Sequence, residues 1–166
     1  MTGATKNPDQ PYVGGGTILD AIQHIIVAGM SAFHSQSPNL TKPTPQDEAS
    51  FWQWLEPEYL AGIYSEATGQ ELNGRNVEES MSPWIKHVMR TIMGRTMAVC
   101  KKGYVALVPA AAEIRDRICV LHSGSAPFVS REKDEGYVLI GECYVYGLMD
   151  GETTGSDKEI QWFNLV

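Results

Sequence analysis

The hydrophobic pattern of the chain changes its period once, near Gly94. Before that point, residues 17–34 carry apolar side chains every three or four positions, which predicts an amphipathic helix. The apolar positions are Ile18, Leu19, Ile22, Ile25, Ile26, Met30 and Phe33. Asp20 and His24 fall on the opposite side, so we expect His24 to face solvent. Thr17, with Asp20 three residues later, predicts a capping box at the start of this helix.

Two more helices are predicted before Gly94. Thr44 as cap and Pro45 in the first turn indicate a second helix that ends or kinks at Pro57. The Pro-rich loop before it, "SPNLTKPTP", is expected to be exposed and could act as a lid. A third helix is predicted over residues 77–93, although Pro83 signals a kink or a later start. Its apolar face contains Val77, Met81, Trp84, Ile85, Val88, Met89 and Ile92.

After Gly94 the apolar positions alternate, and the segments become short. The runs "RTMAVC", "YVALV", "RICVLH", "PFVSR", "YVLIGECYVYG" and "EIQWFNLV" predict about six strands joined by tight turns. The pattern therefore predicts an α+β fold, with about three N-terminal helices packed on a curved antiparallel sheet or small β-barrel. We expect one domain over residues 1–166: a flexible arm (1–16), a helical part (17–93) and a β-rich part (94–166).

Composition narrows the classes of partner. The net charge is −7, and the 13 Lys and Arg residues are scattered along the chain, so no nucleic-acid groove or anionic membrane surface is expected. The N-terminus lacks an apolar signal core, and no apolar run approaches the ~20 residues of a membrane span, so we expect no membrane insertion. The three cysteines show no CxxC spacing, which favours free thiols and a cytoplasmic location.

Local motifs for common chemistries are missing from the sequence. The four histidines, His24, His34, His87 and His122, have no metal-ligand spacing, so neither a metal site nor a cofactor is expected. The "GGGT" at residues 14–17 lacks the Lys-Ser/Thr of a phosphate-binding loop. The "HSGSA" at residues 122–126 is not the GxSxG of a serine hydrolase. Cys119 and His122 are three apart on a predicted strand and would point to opposite faces.

The stretch "GECYVYGLMDGE", residues 141–152, raises a separate question. Asp150 and Glu152 could form a catalytic pair, a metal site or a turn. Three glycines and an Asp-Gly pair favour the turn, because glycine adopts positive φ without strain.

Residues 94–152 resemble the C-terminal region of fungal heterokaryon-incompatibility (HET) domain proteins. The resemblance lies in an ordered series of segments that ends in a run similar to "GEAYVHGIMDGE". The matching residues are Gly103, Pro109, Asp116, Gly124, Pro127, Arg131, Gly141, Glu142, Tyr144, Gly147, Met149, Asp150, Gly151 and Glu152. The family's "GD" is Arg115-Asp116 here, Ala106 replaces a glycine, and Tyr146 stands for the histidine of "YVHG". The resemblance implies that "MDGE" closes a β-module, which again favours a structural role.

The N-terminal domain that defines HET proteins has no counterpart in this sequence. We therefore expect a short protein that has lost the signalling half and does something else. One hypothesis is a cofactor-independent cyclase, since the chain also resembles small HET-like proteins of fungal diterpene biosynthesis that form norbornene rings by an intramolecular Diels–Alder [4+2] reaction. The alternative is a non-catalytic interaction module that binds or decoys intact HET proteins.

The cyclase hypothesis requires an apolar cavity for a small apolar substrate and one or two hydrogen-bond donors for a dienophile carbonyl. The candidate donors are His87, His122, Arg95 and Tyr144. The candidate walls are Met81, Trp84, Val88, Met89, Tyr104 and Phe128. The sequence leaves the substrate and the oligomeric state open.

Overall fold

The computed structural model describes residues 9–33, 42–56, 81–122, 124–149, 162 and 164–166. Over these ranges the chain has an α+β fold, as predicted. The helices are α1 (Ile18–Ile26), α2 (Pro45–Trp54) and α3 (Pro83–Ile92). The strands are β1 (Arg95–Val99), β2 (Val105–Pro109), β3 (Arg117–Val120), β4 (Pro127–Lys133), β5 (Gly136–Glu142) and β6 (Tyr144–Val145).

Helix α1 begins where the sequence predicts and ends earlier. Thr17 and Asp20 form the predicted capping box. The helix ends at Ile26, eight residues before the predicted end, because Ala28 and Gly29 adopt φ values of 47° and 68°. Gly29 N–H donates to the His24 carbonyl (2.8 Å) and Ala28 N–H to that of Ile25 (3.0 Å), so α1 ends in a Schellman motif.

Helices α2 and α3 both begin at a capped proline. Thr44 and Asp47 form a capping box around Pro45 in α2. Ser82 caps α3 at Pro83, so this helix starts later than the predicted residue 77, as Pro83 had signalled. Residues 57–80, including Pro57 and Val77, lie outside the described ranges, as do His34 and the predicted lid loop up to residue 41.

The strands form two three-stranded antiparallel sheets, ordered β1-β2-β6 and β3-β4-β5. The predicted hairpin of β1 and β2 is confirmed, with Met97 opposite Leu107. The described residues form neither a single curved sheet nor a closed barrel. The predicted long strand after residue 137 is divided at Cys143, so that β5 pairs with β4 and β6 pairs with β2. Of the predicted final strand, Leu165 makes a parallel bridge to Tyr137.

Three apolar clusters hold these layers together. The helical cluster joins all three helices through Ile26, Val27, Ala32, Phe51, Trp84, Ile85 and Val88. A second cluster packs Ala21 and Ile25 of α1 on Val105 and Leu107 of β2. A third lies between the two sheets and contains Ala106, Val108, Val129, Cys143 and Val145. Helix α1 therefore contributes to two cores.

Part of the predicted arm, around Tyr12 and Gly14, packs against the sheet. Tyr12 is buried; its hydroxyl accepts a hydrogen bond from Val105 N–H (2.8 Å) and donates one to the Tyr146 carbonyl (3.2 Å). A Cβ on Gly14 would lie 3.1 Å from the Gly147 Cα, so the glycine run permits two backbone segments to touch. None of the helices in the described ranges is long and apolar enough to cross a membrane.

Candidate functional site

A cavity of about 270 Å³ lies where the N-terminus of α2 meets α1 and α3. Its apolar lining includes Val27, Phe51 and Trp84. Its polar lining includes Gln23, His24, Thr44, Asp47 and Glu48, and two prolines precede and begin α2 there. The cavity thus has an aromatic wall on one side and helix-terminal polar groups on the other.

Trp84 is the side chain that stands out in this cavity. It is only 2% exposed, and its ring packs 5.9 Å from that of Trp54 and 6.5 Å from that of Phe51. Its indole Nε1–H has no hydrogen-bond partner and is the one buried side-chain polar atom so placed in the part of the chain that the structure describes. Buried donors nearly always have partners, so this N–H is a candidate for binding a ligand.

The carboxylate of Asp47 lines the same cavity and is fully engaged. Its Oδ1 accepts from Ala32 N–H (2.9 Å), and its Oδ2 accepts from the Ser31 hydroxyl (2.7 Å) and from the backbone and hydroxyl of Thr44 (2.9 and 2.7 Å). Burial raises the pKa of Asp47, but these hydrogen bonds outweigh it and hold the pKa below its ordinary value. Asp47 is therefore a structural anion and not a general base.

His24 lies at the edge of the cavity and is half-buried. The expectation that it faces solvent is wrong, because the ring of Tyr146 covers it at 4.6 Å. Its Nδ1 donates to the Asp20 carbonyl at 2.8 Å, since a carbonyl can only accept. The remaining ring nitrogen, Nε2, is left as its second polar atom.

A second cavity of about 270 Å³ lies at the junction of α3 and β1. Its lining includes Arg95, Gly141 and Glu142. Arg95 Nη1 donates to the Glu142 carbonyl at 3.1 Å, so this guanidinium ties β1 to β5.

The structure disperses most of the residues predicted from the sequence. Trp84 lines the first cavity and Arg95 the second. His87 donates from Nε2 to the Val27 carbonyl (3.3 Å), which fastens α3 to the end of α1. Tyr144 packs on Gly29, whose Cβ, if present, would be 2.6 Å from the tyrosine hydroxyl. His122 is exposed after β3.

The remaining predicted wall residues also lie apart from one another. Val88 is buried in the helical cluster and Met81 packs against it, but Met89 is 46% exposed. Tyr104 packs edge-on against Tyr12 at 6.2 Å, and Phe128 pairs with Cys119 across β3 and β4.

The sequence reasoning missed Phe51, Asp47 and His24 as cavity residues. Thr44 and Asp47 had the spacing of a capping box, which was the one available signal for that end of the site. No local signal could show that α1, α2 and Trp84 converge.

Comparison with known families gives the context of this site. Residues 32–166 match the model of the Het-6 β-barrel domain. The chain belongs to the Het-6 β-barrel domain family. In the Neurospora crassa protein named "Heterokaryon incompatibility protein 6, OR allele", 83 residues are 29% identical to this chain. The match covers 48% of this chain and 12% of that longer protein. No solved structure matches significantly.

Residues that carry the resemblance to HET proteins have structural roles here. Asp116 and Arg131 form a bidentate ion pair, with Nε–Oδ1 at 2.8 Å and Nη2–Oδ2 at 2.9 Å. A Cβ on Gly141 would lie 2.9 Å from Pro109, and Gly147 has a φ of 85° beside Gly14. The "DGE" of the motif, residues 150–152, lies outside the described ranges.

Proposed function

We propose that this member of the Het-6 β-barrel domain family is a cofactor-independent cyclase. It would promote an intramolecular Diels–Alder [4+2] cycloaddition in fungal terpenoid biosynthesis, acting on a small apolar substrate. The observation that carries the proposal is the cavity beside α2, with its aromatic wall and the unpaired indole N–H of Trp84. The resemblance to HET-like diterpene cyclases supports the same reaction class.

The lining suits a reaction that needs positioning more than chemical groups. An intramolecular cycloaddition is accelerated when diene and dienophile are held in a near-attack conformer, which can lower the barrier by up to ~7–11 kcal/mol. Val27, Phe51 and Trp84 supply rigid apolar surface for this purpose. The volume of about 270 Å³ is just below the range of pockets for small molecules, roughly 300–1,000 Å³, so it suits only the reacting part of the substrate.

The indole N–H of Trp84 would polarise the carbonyl of the dienophile. Electron density moves towards that oxygen in the transition state, so a preorganised donor strengthens as the reaction proceeds. The Nε1 atom is itself fully buried, so a small movement of the cavity wall would be needed to bring the carbonyl within hydrogen-bond distance of this desolvated donor. The carboxylates of Asp47 and Glu48 in the lining favour a neutral substrate, such as an aldehyde or ketone, over a carboxylic acid.

The proposal is tested by incubating the protein with a linear precursor that joins a diene to an unsaturated aldehyde. We expect a faster reaction and a changed stereochemical ratio of adducts. Trp84→Phe keeps an aromatic ring and removes the donor, so it should lower the rate by up to about 10²–10³-fold. Trp54→Phe is the matched control, because Trp54 packs on Trp84 outside the cavity lining, and it should change the rate much less.

The alternative is a non-catalytic module that binds or decoys intact HET proteins. The name of the Neurospora relative favours this class, since that protein is a heterokaryon incompatibility protein. An uncatalysed rate and an unchanged adduct ratio, with folded protein in excess, would contradict the cyclase and leave the module as the better account.

A further inference from the structure

The charges of this acidic chain are segregated along its sequence. Residues 81–112, which form α3, β1 and β2, contain five Lys and Arg residues and no Asp or Glu. The rest of the chain contains eight Lys and Arg residues and all 20 Asp and Glu residues. The basic residues in the segment are Lys86, Arg90, Arg95, Lys101 and Lys102. The cations that look scattered over the whole chain therefore include one block without acids.

The same segment exposes unusually large apolar side chains. Met89, Ile92 and Met93 lie at helical spacing near the end of α3 and are 46%, 42% and 74% exposed. Met97 and Val99, two residues apart on β1, are 47% and 65% exposed. We call these five residues the β1 face. Flexible methionine side chains adapt to partners of different shape, and exposed apolar patches of this kind mark interaction sites.

Strand β1 also has an open edge in the described part of the chain. It pairs with β2 alone, and β2 lies between β1 and β6. Ala110 N–H donates to the Gly94 carbonyl and Cys100 N–H to the Tyr104 carbonyl, so even-numbered residues of β1 bond to β2. Because the bonds of an antiparallel strand alternate, the N–H and C=O groups of Arg95, Met97 and Val99 point away from β2. The outward backbone thus coincides with the exposed apolar side chains.

The geometry points to the β1 face as a docking site for an acidic, extended segment of another protein, which adds to β1 as a further strand. Main-chain hydrogen bonds to residues 95, 97 and 99 would hold the segment, and Met97 and Val99 would receive its alternate side chains. Carboxylates on the segment would meet Lys101 and Lys102, which are exposed in the turn that follows β1. This inference does not depend on the cyclase proposal, because none of the five residues of the β1 face lines the cavity at Trp84.

Two other occupants fit the same face less well. A second copy of the chain, paired antiparallel through β1, would bring Arg95, Lys101 and Lys102 of both copies together, and like charges across strands destabilise the pairing. Single-stranded nucleic acid is bound by aromatic side chains on which bases stack. The β1 face offers methionine, isoleucine and valine instead.

The test uses the full chain and two short synthetic peptides with a central run of alternating Val and Thr. One peptide has Glu at both ends and the other has Gln. By fluorescence anisotropy at low salt, we expect the Glu peptide to bind at least about tenfold more tightly, with the difference lost at high salt. Amide NMR signals of residues 95–99 should shift on binding.

Two sets of variants test separately how the charges and the backbone hydrogen bonds of β1 contribute to binding. The double variant Lys101→Glu with Lys102→Glu should weaken Glu-peptide binding at least about tenfold. The control Lys133→Glu, at the end of β4 in the other sheet, should leave it within about twofold. Met97→Pro removes an outward N–H that β2 does not use, whereas Met97→Thr keeps it. We expect the proline variant to bind at least about tenfold more weakly than the threonine variant.

Several outcomes would overturn the proposal. These are equal binding of both peptides, equal binding by the two Met97 variants, or shifts confined to residues outside β1. Binding of anionic lipid vesicles or single-stranded DNA without binding of the Glu peptide would also contradict it. So would concentration-dependent self-association that Met97→Pro abolishes, because it would assign the edge to a second copy.

Discussion

Replacing Asp47 with Asn should destabilise the fold by leaving one backbone donor without a partner. The two carboxylate oxygens accept from two different backbone N–H groups, Ala32 on Oδ1 and Thr44 on Oδ2. Asn has nearly the same shape but a single acceptor oxygen. Whichever way the amide is turned, its NH₂ group faces one of these N–H groups. The two hydroxyls that also bond Oδ2 can rotate and accept, but a backbone N–H cannot.

The expected loss can be estimated from these contacts. An unsatisfied buried donor costs about 1–3 kcal/mol, and hydrogen bonds to a charged acceptor are each worth about 1.5–3 kcal/mol. Since one bond persists and the hydroxyls adapt, we expect Asp47→Asn to lower the free energy of unfolding by about 2–4 kcal/mol. That would be a large fraction of the ~5–15 kcal/mol of a typical domain.

The loss should depend on pH. The folded-state pKa of Asp47 is lowered, so its stabilising effect is present above the ordinary Asp pKa, about 4, and disappears as the pH falls through the folded-state value. The difference in unfolding free energy between wild type and Asp47→Asn should therefore be largest near neutral pH and shrink below about pH 4.

Urea unfolding followed by tryptophan fluorescence measures both effects. Glu48→Gln is the matched control, because Glu48 is an exposed acid in the same helical turn. It should cost less than about 1 kcal/mol, as expected for a helix-dipole interaction. A loss for Asp47→Asn that is no larger than for Glu48→Gln, or that does not shrink in acid, would refute the reasoning.

Three further predictions concern other parts of the fold. Gly29→Ala should lower the unfolding free energy by at least about 1 kcal/mol more than Gly94→Ala. Both glycines have φ near 69°, but only Gly29 faces a tyrosine ring. Equal losses in urea titrations would contradict this. Burial raises the pKa of Cys143 to about 12, so in the folded protein its thiol should be alkylated about 10³-fold more slowly than an ordinary thiol. After denaturation it should be alkylated at the ordinary rate, and mass spectrometry can follow both reactions. Arg131→Lys should lower the thermal midpoint more than Arg117→Lys. Arg131 makes a bidentate ion pair with the buried carboxylate of Asp116, whereas the partner of Arg117, Glu132, is exposed. The reverse order of the two midpoints would contradict this.

Features that depend on near neighbours in sequence were predictable. The capping box at Thr17, the cap at Thr44, the β1–β2 hairpin and the change of period at Gly94 follow from residues within a few positions of one another. The end of α1 did not, because the apolar spacing continues through Met30 and Phe33 although the helix has ended. An alanine at positive φ gives no sequence signal, and here the helix ends where Tyr144 packs on Gly29.

The candidate site was predictable only in part. Trp84 was predicted to be a wall of a substrate cavity, which stays a prediction; the structure places it in the lining of the cavity at α2. His24 was assigned to solvent because the apolar spacing of α1 places it on the side opposite the apolar face. That spacing cannot show that Tyr146, 122 residues later, covers this side of the helix. The division of the sheet at Cys143 likewise depends on pairing partners that a continuous alternating pattern does not reveal.

The most direct test of the central claim is the NMR signal of the Trp84 indole N–H during titration with an unreactive cyclic enone. The chain has four tryptophans, and Trp84→Phe assigns the signal by its loss. If the cavity at α2 binds a carbonyl through this donor, the Trp84 signal should move downfield with saturation, while that of Trp54 moves little. A Trp84 signal that stays fixed while other residues respond, or no response at any enone concentration, would contradict the account.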